Sequence, residues 1–142
     1  MADAPRILIV TSRYYANITA ELEAGVTEGL EKVGATWEFL EVPGAFEIPA
    51  AIAMADASGD YEGYVAIGVV IRGETYHFEI VAGESARGVM ALTMDSVPIG
   101  NGILTVENEA QALVRADPAQ KDKGGEAARA AIALLALKER FG

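Results

Sequence analysis

A chain of 142 residues, half of them hydrophobic, has material for one domain with a substantial core and too little for two. The formal net charge of −10 argues against nonspecific binding to nucleic acid or anionic membranes, because both partners want a basic surface. The absence of cysteine excludes disulfides and thiolate metal sites and is compatible with a reducing cytoplasm, and a single histidine excludes a multi-histidine zinc site within one chain.

No apolar run approaches the roughly 20 residues that cross a bilayer. Met1 to Pro5 carries no basic patch followed by an apolar stretch, so no secretory signal is read there. In chain order, Arg6 to Ser12 reads as a strand buried on both faces. A helix follows from about Asn17 to Val33, with Ile18, Leu22, Val26, Leu30 and Val33 at helical spacing. Asn17 suits its N-cap and Gly34 its stop. Thr36 to Val42 is a second strand, ended by Pro43 and Gly44. The next helix runs from near Phe46 to Ser58, which puts Pro49 in its first turn, where a missing amide hydrogen matters little.

Tyr64 to Ile71 is the most apolar strand. It leads to a helix over about Thr75 to Thr93, a strand near Ile99 to Val106, a short helix over Glu109 to Ala116 and a last helix over Glu126 to Arg140. Strands alternating with helices of this length predict a parallel sheet covered on both faces. The expected fold is an α/β three-layer sandwich: a flavodoxin-like, four-stranded parallel sheet in a single domain over 1–142. In open sheets of this kind ligands bind beyond the carboxyl ends of the strands, which here means the segments after residues 12, 42 and 71. The last helix has no charge from Ala130 to Leu137, so it needs cover all round. It is either a central core helix or one buried partly against another subunit.

Three segments carry side chains suited to chemistry. After the first strand comes Ser12-Arg13-Tyr14-Tyr15, whose two aromatics are placed either to stack on a planar heterocycle or to sit on the surface, as many tyrosines do. After the second, Phe46 and Glu47 fall where a helix begins with free amides. Glu47 either accepts hydrogen bonds from a polyol, with Phe46 closing over a ring, or complements the helix dipole. After the third strand comes Gly68-Val-Val-Ile-Arg-Gly-Glu-Thr-Tyr-His77. A glycine before a helix start, with Thr75 near the cap, makes an anion site of backbone amides. His77 is then expected one turn into that helix, beside the anion. Imidazole transfers protons near neutral pH, although a lone histidine is also a common structural residue. Glu74 lies in the same cradle, so an anion there is held by amides and not by that carboxylate. Arg115 and Lys123 flank the loop Ala116 to Asp122, and they are ordinary solvated charges unless the fold or a neighbouring subunit brings them to the cradle.

Together these segments resemble the 6,7-dimethyl-8-ribityllumazine synthase family over nearly the whole chain. The match rests on Pro43-Gly-Ala-Phe-Glu-Ile-Pro49, Val70-Ile-Arg-Gly-Glu-Thr-Tyr-His77, Thr105-Val-Glu-Asn108 and Lys123-Gly124. The resemblance implies a cofactor-free and metal-free condensation of 5-amino-6-ribitylaminouracil with 3,4-dihydroxy-2-butanone 4-phosphate. Tyr14 falls where the family stacks an aromatic on the pyrimidine. Ala45, Phe46 and Glu47 fall in its ribityl and ring contact, and Val69, Val70 and Ile71 line the pyrimidine edge. Glu74 and Thr75 occupy the phosphate loop, Arg115 is the phosphate's cationic partner, and His77 matches the family's proton shuttle. Lys123 stands where the family has a basic residue near the site.

Two features depart from the pattern. Asn101 stands where many members present an aromatic across a subunit interface. The chain also begins almost at its first strand, where many members have a further N-terminal segment that pairs with a neighbour and serves their largest assemblies. Members form pentamers, and some build sixty-subunit shells. The resemblance therefore implies a homopentamer with active sites at subunit interfaces, cytoplasmic location, small-molecule substrates and functional coupling to riboflavin synthase, with no nucleic-acid or membrane partner. Two other readings share the fold: an archaeal-type riboflavin synthase, and a nonenzymatic lumazine- or flavin-binding module. A flavodoxin or response-regulator domain fits least, because no phosphate-binding loop follows the first strand and no phosphoacceptor aspartate marks a strand end.

Overall fold

The computed structural model describes residues 4–142; the expectation for Met1 to Pro5 therefore falls mostly outside the described residues. Four parallel strands, β1 (Arg6–Thr11), β2 (Thr36–Glu41), β3 (Gly63–Ile71) and β4 (Ile99–Val106), form one sheet in the order β2-β1-β3-β4. The helices are α1 (Ala16–Lys32), α2 (Ile48–Ser58), α3 (His77–Met94), α4 (Glu109–Ala116) and α5 (Lys123–Phe141), and a 3-10 turn at Ala45–Glu47 precedes α2. This is a flavodoxin-like three-layer α/β sandwich. The order reverses direction between β1 and β3, which opens a crevice at their carboxyl ends.

Alternation along the central strands divides the core in two. Ile7, Ile9, Val65 and Ile67 face α1 and α5, where they pack on Leu22, Val26, Ala128 and Ala131. Leu8, Val10, Tyr64 and Ala66 face the other way, onto Ile48, Ile52, Val81 and Val89 of α2 and α3. Because both faces are covered, β3 reads as a continuous apolar run, and the outer strands β2 and β4 keep exposed positions.

Several boundaries move for identifiable reasons. Helix α1 begins at Ala16 with Tyr15 as its cap, because the amides of Ile18 and Thr19 both donate to the Tyr15 carbonyl; Asn17 lies inside the first turn. Its end follows expectation. Gly34 takes φ 75°, its amide donates to Glu31 and that of Ala35 to Leu30, a Schellman closure. The expected start of α2 at Phe46 is a 3-10 turn, and the α-helix proper begins at Ile48 with Pro49 in its first turn.

Helix α5 starts at Lys123, earlier than Glu126, because Asp122 caps it by accepting from the Gly125 amide at 3.1 Å. Gly124 and Gly125 are poor helix formers in isolation. Here a Cβ on Gly124 would lie 2.1 Å from the Leu22 carbonyl oxygen, so the bare backbone lets α5 lie close against α1. Of the uncharged stretch Ala130 to Leu137, Ala131 and Leu135 enter the core, Ile132 packs at its edge, and Leu134 and Leu137 are exposed. The core-helix reading accounts for one face of α5 and leaves the other uncovered.

Candidate active site

Three strand ends converge on one edge of the sheet. At the end of β1 the Ser12 amide continues the sheet by donating to the Ile67 carbonyl at 2.9 Å, and the chain then turns through Arg13, Tyr14 and Tyr15. Tyr15 packs against the core. Tyr14 stands on it edge-to-face, with ring centroids 5.0 Å apart, and is itself 79% exposed. A planar face of this kind, open to solvent and supported from below, is suited to stacking.

The second segment folds back over the sheet. Ala45 is buried and its Cβ would touch a Cβ on Gly68 at 3.5 Å, so the turn after β2 lies against β3. Phe46 is half-exposed next to it, and Glu47 is exposed with no ion-pair partner among the described residues. The carboxylate thus remains available for a hydroxyl-bearing ligand. Val69 and Val70 are buried on opposite faces of β3, and Ile71 is half-buried at its end.

The third segment corrects the expected helix start. Helix α3 begins at His77 with Tyr76 as cap, and residues 73–76 form the turn into it. His77 is therefore the first residue of the helix and not one turn inside it. Its amide lies 3.4 Å from Thr75 Oγ1, a long contact, so Thr75 bends the entry without supplying a strong cap. The amides at the start of a helix lack intrahelical partners, and here they lie beside the exposed imidazole of His77. Gly73 has a negative or extended φ, and a Cβ added to it would meet nothing within 4 Å. The fold itself does not demand glycine at 73, and a bare backbone keeps the approach to these amides clear.

One chain does not bring every candidate residue to this edge. Asn101 pairs with Ala66, five residues short of Ile71, which at about 3.3 Å per residue is about 16 Å down the strand. Its Oδ1 accepts from the Ile103 amide at 3.1 Å on the outer strand β4. Arg115 donates to the Gln111 carbonyl on its own helix, and Lys123 pairs with Glu126 at 3.2 Å. Among the described residues, neither cation makes a hydrogen bond or ion pair with the 73–77 turn. Among the described residues no group of three or more acidic or histidine side chains could hold a metal ion.

Two residues at this edge were not singled out from the sequence. Ser12 is buried and its hydroxyl donates to the Pro43 carbonyl at 3.3 Å, linking the first two segments. Arg72 pairs with Glu79 and Glu107. Both lie in the stretches quoted as motifs, but their roles depend on partners distant in sequence. The paired carboxylates raise the Arg72 pKa above its ordinary value, with the Glu79 hydrogen bond the largest cause, and Arg72 in turn holds the Glu79 carboxyl below the usual range.

Residues 4–139 match the sequence profile of the 6,7-dimethyl-8-ribityllumazine synthase family. A protein of that name from Novosphingobium aromaticivorans is 71% identical over 136 residues, which cover 96% of this chain and 98% of the relative. Namesakes from Erythrobacter litoralis and Zymomonas mobilis are 67% and 62% identical, each over 96% of this chain and 98% of their own length.

Proposed function

The chain belongs to the 6,7-dimethyl-8-ribityllumazine synthase family, transferases of riboflavin biosynthesis, and on that premise we propose how its residues bind two substrates and join them. The reaction condenses 5-amino-6-(D-ribitylamino)uracil with 3,4-dihydroxy-2-butanone 4-phosphate. The observation that carries the residue assignment is the meeting of Tyr14, Phe46 and the 73–77 turn at one sheet edge.

The pyrimidine lies against Tyr14 and Phe46, along the Val69, Val70 and Ile71 backbone. Glu47 and the Ala45 turn receive the ribityl hydroxyls. The phosphate sits on the amides of Glu74, Thr75 and their neighbours, where helix-end donors favour an anion. The uracil's 5-amino nitrogen attacks the ketone carbon and loses water to give an imine. A proton then leaves the adjacent carbon as phosphate departs, and the ribitylamino nitrogen closes the ring with loss of a second water. His77 moves protons in these steps, a contribution of about 10² to 10⁴ in rate. The amine is already a nucleophile, so orienting the two substrates is the other large contribution.

The cradle's own side chains are mostly acidic. Glu74, Glu79 and Glu107 outnumber Arg72, so a phosphate needs a cation from elsewhere. Arg115, with Lys123 near it, supplies that charge from a neighbouring subunit, and Asn101 reaches the same site across the interface. This reading requires a homopentamer, or a larger assembly, of single domains spanning 1–142. It is supported by the exposed apolar side chains Leu137 and Phe141 of α5 and by the separation of Arg115 from the turn. The proposed setting is the cytoplasm, with the product passing to riboflavin synthase.

The test is to incubate purified protein with both substrates, follow lumazine fluorescence and measure particle mass. Fluorescence from a pentamer or larger particle is expected. No lumazine from the two substrates overturns the enzyme reading, riboflavin formed from lumazine alone favours the dismutating enzyme, and an active monomer overturns the shared site.

A further inference from the structure

We infer that Arg72 is a positioning residue that fixes the phosphate-binding turn without itself binding the phosphate; the inference rests on reading residues 73–77 as that turn. Arg72 is the last residue held by the sheet before the turn begins. Its amide donates to the Val106 carbonyl at 2.9 Å, the final rung between β3 and β4. From that anchor its guanidinium reaches both neighbours: one NH group bonds Glu79 in the first turn of α3, and Nε lies 3.0 Å from Glu107 just after β4. The guanidinium carbon also sits 4.4 Å from the Phe78 ring centroid, stacked against the residue that follows His77.

One planar side chain therefore ties the end of β3, the start of α3 and the end of β4. The direction of the helix-start amides, and of the His77 imidazole, depends on where α3 leaves the sheet. Nε and one terminal nitrogen are engaged by carboxylates, so two negative charges neutralise the cation locally and weaken its attraction for a phosphate.

The other central strand repeats the device. Arg13, two residues past β1, bonds Glu23 on the following helix at 3.0 Å, lies 3.6 Å from Glu41 at the end of β2, and stands 5.5 Å over the Phe39 ring. Each inner strand thus ends in an arginine that joins its own helix to the adjacent outer strand. Exposed pairs of this kind add little to global stability, so the effect of this arrangement is on geometry.

The experiment compares wild type with Arg72→Met, Arg72→Lys and Glu79→Gln. It measures both KM values, kcat, the Kd for inorganic phosphate by calorimetry, and Tm. For Arg72→Met we expect the phosphate Kd and the butanone phosphate KM to rise about tenfold, as for loss of oriented donors, with the uracil KM changed less than about twofold and Tm nearly unmoved. Arg72→Lys should recover part of the loss. Glu79→Gln should weaken phosphate as well, because it releases α3 from the fork. Tighter phosphate binding in Glu79→Gln would identify Arg72 as a direct ligand and overturn the inference, as would an unchanged phosphate Kd in Arg72→Met or equal weakening of both substrates. If Arg72→Met does not fold, Arg72→Lys and Glu79→Gln decide the same question. If wild type makes no lumazine, the proposed function falls, and the inorganic phosphate measurements still decide the role of Arg72.

Discussion

The buried hydroxyl of Ser12 donates to the Pro43 carbonyl oxygen at 3.3 Å, joining the end of β1 to the segment that carries Phe46 and Glu47. Tyr14 lies two residues beyond this hydroxyl, so one contact sets the spacing between two groups proposed to hold the uracil substrate. Ser12→Ala should cost about 1 kcal/mol of stability, a typical net hydrogen bond. It should also raise the KM of the ribitylaminouracil about threefold, with that of the butanone phosphate little changed, consistent with modest misplacement of positioning groups. Steady-state kinetics with each substrate varied in turn would check this, and an equal change in both KM values would count against it.

The roles proposed for His77 and Arg115 separate proton transfer from anion binding. His77→Ala should slow condensation about a hundredfold and leave phosphate binding mostly intact, with a residual rate from orientation alone. Arg115→Ala should raise the butanone phosphate KM about tenfold with little effect on the uracil, the loss expected for one charge-assisted contact. An unchanged turnover rate in the first variant removes His77 from the mechanism. Equal weakening of both substrates in the second removes the dedicated phosphate role.

Gly100 is fixed by helix packing. A Cβ there would lie 1.8 Å from the Ala127 carbonyl oxygen, within the backbone of α5 and not at the end of a flexible side chain. Gly100→Ala should therefore destabilise by about 2–4 kcal/mol. Denaturant unfolding would measure it, and a loss under about 1 kcal/mol would mean that α5 can move away from β4.

Ser96 closes α3 in the left-handed region, at φ 68°. Its amide donates to Thr93 and that of Val97 to Leu92, the Schellman pattern that glycine usually completes. Ser96→Gly should stabilise by about 1 kcal/mol, because it removes the clash of a side chain with its own backbone. A raised Tm would agree, and a lowered one would show that the serine hydroxyl makes a contact worth more than the strain.

Tyr64 gives the protein an alkaline limit. Its side chain is fully buried with the hydroxyl donating to Asp56 at 3.1 Å, and burial first, then that hydrogen bond, raises the phenol pKa well above its ordinary value. With the folded pKa above the unfolded value of about 10, the stabilisation is complete below pH 10 and falls as the pH rises beyond it. Tyr64→Phe should cost about 1 kcal/mol near neutral pH and flatten the stability loss above about pH 10. A chemical-denaturation series from pH 7 to about pH 11 would check both; an alkaline slope as steep as in wild type would rule Tyr64 out.

Much of this protein was legible in one dimension because its signals are local. Short apolar runs and helical spacings gave four strands and five helices in the right order, and Gly34 at the end of α1 and Pro49 in the first turn of α2 met backbone requirements that belong to single residues. The candidate site segments were legible for the same reason: each is a short run after a strand, and strand ends are where this architecture opens. The boundaries that moved depended on contacts between distant residues. Gly124 and Gly125 could join α5 only because Leu22 and Gly25 lie against them, and His77 begins α3 only because the turn through 73–76 separates it from the end of β3. The ties made by Ser12 and Arg72 were decided in the same way, since a hydroxyl or guanidinium has no fixed role until the fold selects its partner: residue 43 for one, residues 79 and 107 for the other.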